Sequence, residues 1–170
     1  MRYFITMLLV LSAVNVFSQE SDPAEGREPF TLELMVNDES YYSTHIPESK
    51  FIVKPNEIIQ LFPGDDIYVE AARENSKILL IKVYRTVEDP EKYIHMKFEQ
   101  VSEEKMHKYM LLTISNPFEC DIIYSADILM LMNNIWINTS ILPVYSGVQS
   151  FEMWNDIIIS IALYDFKEAE

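Results

Sequence analysis

What most constrains this chain is the spacing of its apolar residues. From Pro29 onward, short apolar runs recur between turn formers at intervals of roughly 8–12 residues, the pattern of an all-β sandwich or barrel. No internal repeat and no alternation of strand with helix accompanies them, and the chain has only three Gly.

Phe30, Leu32 and Leu34 alternate with Thr31 and Glu33 before Asn37-Asp38-Glu39-Ser40, the signature of a half-buried strand. Pro63-Gly64 is a turn with a mechanism, since Pro fixes φ and Gly supplies a positive φ. The run from Ile78 to Val87 is apolar on both faces at its start, which places it centrally in a sheet. Residues 93–101 and 105–115 form a hairpin around Ser102-Glu103-Glu104, with Met96 facing Met110, His95 facing Leu111 and His107 facing Glu99. Residues 121–132 form a further apolar run, read as a strand or as a short helix capped by Ser125. In the last element Ile157, Ile159, Ile161 and Leu163 share one face and Phe166 lies on the other. These runs predict an immunoglobulin-like or related antiparallel β-sandwich over residues 29–170, with a small β-barrel as the alternative.

The N-terminus reads differently. Arg2, an uncharged apolar stretch and small residues ahead of Gln19 have the order of a signal peptide over residues 1–18. Residues 19–28 are polar and acidic with Pro and Gly, and read as a flexible leader. The chain is therefore expected to be exported, periplasmic or secreted, with no membrane span.

Charge narrows the partners. With 27 acidic and 13 basic residues the formal charge is −14. Loss of Arg2 with residues 1–18 takes it to −15. Phosphate affinity needs clustered Lys and Arg, so nucleic acid is excluded as a partner, and self-repulsion favours a monomer.

Chemistry-bearing residues are sparse. Motifs for a nucleophile elbow, a zincin, a phosphate loop or a paired-cysteine site are absent. Asp65, Asp66 and Glu70 are the acidic group from which a loop could recruit calcium, which takes six to eight oxygens. Tyr41, Tyr42, Trp136 and Trp154 lie near predicted loops, where exposed rings stack on sugars or anchor a protein. His95 and His107 stand too far apart along the predicted ladder to share a zinc ion. Cys120, the one cysteine, falls in an expected strand as a small apolar side chain. Asn138-Thr139-Ser140 is a sequon, relevant only in a eukaryotic secretory pathway.

Asn116-Pro117, Ile123-Tyr124-Ser125-Ala126, Asn138-Thr139-Ser140, Pro143-Val144, Gly147, Glu152 and Trp154 lead into the final strand. This C-terminal third resembles a family of small exported bacterial β-sandwich proteins with no assigned activity, and departs from it at Ile141 and Leu142, where such proteins can carry a further cysteine. The resemblance implies export and a sandwich. Residue by residue, Gly147 would supply a tight turn, Glu152 would cap a backbone N–H and Trp154 would close one end of the core.

The resulting expectation is a non-catalytic binding or accessory module that recognises a protein or envelope component, with no resident cofactor. A carbohydrate-binding or calcium-dependent adhesion module is one alternative. A hydrolase built on two carboxylates in a cleft is the other.

Overall fold

The computed structural model describes residues 21–24, 26–54 and 57–169. The expected signal peptide, residues 1–18, lies outside the described residues. The principal strands are β1 (Phe30–Met35), β2 (Tyr41–Ile46), β3 (Ile58–Leu61), β4 (Asp65–Glu74), β5 (Lys77–Thr86), β6 (Ile94–Glu103), β7 (Met106–Ser115), β8 (Ile122–Met130), β9 (Trp136–Thr139), β10 (Gln149–Trp154) and β11 (Ile158–Glu168). Two-residue strands at Asp22–Pro23, Gly26–Arg27, Ser49–Lys50 and Ile52–Val53 complete the pairing.

The protein is an all-β sandwich. One sheet runs β9-β8-β11-β3 with Ile52–Val53 at its end, and the other runs β5-β4-β6-β7-β10, all antiparallel. The sheets touch in the ladder at one corner, where Lys77 pairs with Lys167. Their inner faces meet in one core: Ile122, Ala126, Ile161 and Leu163 from the first, Val69, Leu80, Phe98 and Leu112 from the second. Strands β9 and β10, at opposite ends, make no ladder with one another among the described residues. They meet instead through a side chain, Trp154 Nε1 donating to Thr139 Oγ1 at 3.0 Å. The ladder is therefore open, and the barrel alternative does not describe it.

The hairpin β1–β2 packs outside the first sheet over a second cluster, where Leu32, Leu34 and Phe62 bury Ile159. Its loop closes as expected at Asn37, whose Oδ1 accepts from Glu39 N and Ser40 Oγ. Tyr41 and Tyr42, expected near a loop, stand within strand β2, where Tyr42, Thr44 and Ile46 alternate half-buried with exposed neighbours.

Four further corrections have local causes. Residues 22–24 and 26–27 are not a free leader: Asp22–Pro23 pairs with β5, Gly26–Arg27 pairs with Ser49–Lys50, and Ala24 and Arg27 are buried. The β6–β7 turn is the two-residue Glu104-Lys105, both at positive φ (49° and 64°), the geometry of a type I′ turn. With a bulge at Val101/Ser102 this places Met96 opposite Ile114 and His107 opposite Ser102. Strand β11 is bulged twice, at Ile159 and around Asp165 (φ 55°), so Ile157 and Ile159 turn outward while Ile158, Ile161, Leu163 and Phe166 turn inward. Strand β5 is a margin over most of its length, since among the described residues its strand pairing beyond β4 is limited to Lys167 and the Asp22–Pro23 segment.

Candidate functional site

The acidic residues expected to gather on calcium are dispersed by strand alternation. Asp65, at the start of β4, points inward. The Arg27 guanidinium donates to both its carboxylate oxygens, Nε at 3.1 Å to each and Nη2 at 2.7 Å to Oδ2, and Phe62 N donates to Oδ2 at 2.7 Å. Asp66 faces the opposite way and meets His95 Nε2 at 2.7 Å, with the His95 ring stacked on Tyr68. Glu70 accepts the Tyr84 phenol at 2.9 Å, and this bond raises the Tyr84 pKa above the usual phenol value. Each carboxylate has its own partner, so the structure does not bring the three together. Among the described residues no group of three or more His, Cys, Asp or Glu is placed to hold a metal ion.

The aromatic candidates are also spread. Tyr41 is exposed at the start of β2, and Tyr42 is half-buried against the second cluster. Trp136 is exposed on the edge strand β9, while Trp154 packs against the main core. None of the ring contacts among the described residues joins two of the four.

The histidines lie on different networks. Asn155 O can only accept, so His107 donates to it from Nε2 at 2.9 Å and takes a hydrogen bond at Nδ1 from Gln100 Nε2. Gln100 also pairs with both backbone groups of Met35, pinning the hairpin β1–β2 to β6. Glu99, expected opposite His107, is ion-paired with Lys97 at 2.9 Å. Cys120 is half-buried in a bend before β8 rather than within the strand. The sequon residue Asn138 donates to Ala126 O at 3.1 Å and Asp127 Oδ1 at 2.9 Å.

What the sequence did not single out is the outward face at β10. This strand pairs with β7 and has no described strand on its other side. Met153 lies opposite Leu111, and Phe151 opposite Thr113. Phe151 is 58% and Met153 65% exposed, two large apolar groups two residues apart on one face. Behind them Leu111 is half-buried, Thr113 is buried, and the Lys97–Glu99 pair follows on β6. The usable signal was the alternation in Gln149–Trp154, where Phe151 and Met153 share one parity and Glu152 and Trp154 the other.

The surroundings hold this strand rigidly. Trp154 is anchored on Thr139, and Glu152 Oε1 accepts Leu142 N at 2.7 Å. Ahead of β10, the buried Asn116 donates from Nδ2 to Cys120 O and Val144 O, and its Oδ1 accepts from Phe118 N. The turn it secures has Gly147 at φ 67°, a conformation costly for residues with a Cβ.

A cavity of about 530 Å³ lies at the corner between the sheets and is lined by Glu57, Lys77, Asp165 and Lys167 among others. Of its carboxylates, Glu57 is ion-paired with Lys54 at 2.9 Å. No helix among the described residues is long and apolar enough to cross a membrane.

No protein-family model matches the chain, and comparison with curated proteins and with solved structures finds no match.

Proposed function

We propose that this chain is an exported, non-catalytic binding module that recognises a protein or envelope component along β10. The observation that carries the reading is the pair Phe151 and Met153, large apolar side chains held side by side on a strand whose outer edge has no described partner. Such an edge offers backbone donors and acceptors to an extended segment, and the alternate side chains add an apolar contact. Exposed apolar groups of this size are costly to keep in water and mark interaction surfaces when they adjoin one another. The high negative charge opposes pairing with another copy and favours a neutral or basic partner.

The test is site-specific photocrosslinking in the native host. A photoreactive residue at Phe151 should give a discrete adduct that Met153→Lys abolishes, while the same residue at Tyr41 should give none. A smear common to both positions, or an adduct indifferent to Met153→Lys, overturns the reading.

A further inference from the structure

Strand β5 leaves a seam. Between the corner at Lys77 and the Asp22–Pro23 segment, Ile78–Lys82 has no strand partner on the side away from β4 among the described residues. The opposite wall is the stretch from Ser49–Lys50 to Ile52–Val53, and Lys54 crosses the gap to Leu80 O at 3.1 Å. On one side of that crossing lies a cavity of about 280 Å³ lined by Ala24, Lys50, Phe51, Ile52, Lys54, Ile81, Lys82 and Val83. Three of its lining side chains are lysines and none is acidic.

In a chain of charge −14 three lysines lining one cavity are unusual, and the two nearby carboxylates offset only part of their charge. Glu57 sits on Lys54. Glu70, opposite Lys82 in the ladder, is engaged by the Tyr84 hydroxyl. Lys82 lies over the Tyr84 ring, 5.1 Å from its centroid, and neither it nor Lys50 makes an ion pair among the described residues. The floor is apolar: Phe51 is fully buried, while Ile81 is 52% exposed at the bulge of β5. Ammonium groups around a low-dielectric floor focus a positive potential on a site smaller than a Debye length. A long polyanion would still meet the repulsion of the rest of the surface.

We infer that this seam is a binding site for a compact phosphate-class oxyanion, held by Lys50 and Lys82, with Lys54, engaged by Glu57 and Leu80 O, at its border. The anion is either free or carried on a small amphiphile whose apolar part lies along Ile81. This site is separate from β10 and does not depend on the proposed function there.

The test is thermal unfolding in sodium phosphate against sodium chloride at equal ionic strength, with dihexanoyl phosphatidylglycerol as a second probe. At roughly ten times its half-saturating concentration phosphate should raise the Tm by about 3–5 °C beyond chloride. Lys50→Gln/Lys82→Gln should abolish that rise and Lys50→Arg/Lys82→Arg should restore it. Lys105→Gln/Lys108→Gln, on the β6–β7 hairpin, should leave it intact. A half-saturation at least tenfold lower for the lipid assigns the amphiphile as the source, and equal values assign the free anion. Equal effects of phosphate and chloride, no response to either probe, or a response that survives Lys50→Gln/Lys82→Gln overturns the site.

Discussion

Arg27 and Asp65 form a buried, bidentate ion pair, 4% and 10% exposed, that joins the N-terminal segment to the first residue of β4. Arg27 also donates to Gln60 O at 2.6 Å and lies 4.0 Å from the centre of the Phe51 ring. One guanidinium therefore touches the N-terminal segment, the Phe51 stretch, β3 and β4. A planar fork of five donors suits that task, and an ammonium would not reproduce it.

Removing one member of such a pair leaves an uncompensated buried charge. Arg27→Met is expected to cost about 3–5 kcal/mol, lowering Tm by roughly 6–20 °C. Arg27→Met/Asp65→Leu should cost less than the two single changes added together, because no charge is then stranded. Urea denaturation of the three variants checks this; strict additivity contradicts the coupling.

Strand alternation made much of the fold legible, and pairing hid the rest. Ile94, Met96 and Phe98 all face the core, as a period of two requires. The bulges of β11 are set by what lies beside it, so no local period announces that Ile159 turns outward and Phe166 inward. The hairpin register failed because Glu104-Lys105 adopts a turn usually made by Asn and Gly. Arg27 was hidden in a polar stretch, since composition cannot show a charge meeting its partner on a distant strand. Alternation also kept Asp65 and Asp66 apart, and it set Phe151 and Met153 together on a face whose exposure only the sheet order reveals.

The same turn yields a stabilising change. Glu104 and Lys105 hold φ of 49° and 64°, where a side chain is strained and Asn or Gly is at ease. Glu104→Asn/Lys105→Gly should add about 1 kcal/mol and raise Tm by roughly 2–4 °C, read by calorimetry. A loss of stability would exclude the type I′ geometry.

Tyr124, stacked on Phe166 in the core, has its phenol pKa raised from 10.0 chiefly by burial, with Glu152 adding repulsion. The folded state then holds this proton more tightly than the unfolded state. Stability is intact below the unfolded value and is lost as the pH rises above about 10, by up to about 1.4 kcal/mol per pH unit. Tyr84 and Tyr164 are shifted the same way at the surface. Tyr124→Phe isolates the buried group, and its unfolding free energy should fall less steeply between pH 10 and 11 than that of the parent. Identical slopes would refute the assignment.

Phe151 and Met153 separate binding from stability. Both side chains stand mostly in water, so Phe151→Thr/Met153→Thr removes little buried area and should change stability by less than about 0.5 kcal/mol in urea. Threonine suits a strand, so β10 should keep its ladder with β7. The same substitution should abolish the crosslink formed from a photoreactive residue at Val148, which precedes the strand and is itself exposed. Loss of folding would show that the two side chains are core elements. A stable double variant that still crosslinks would move recognition away from β10.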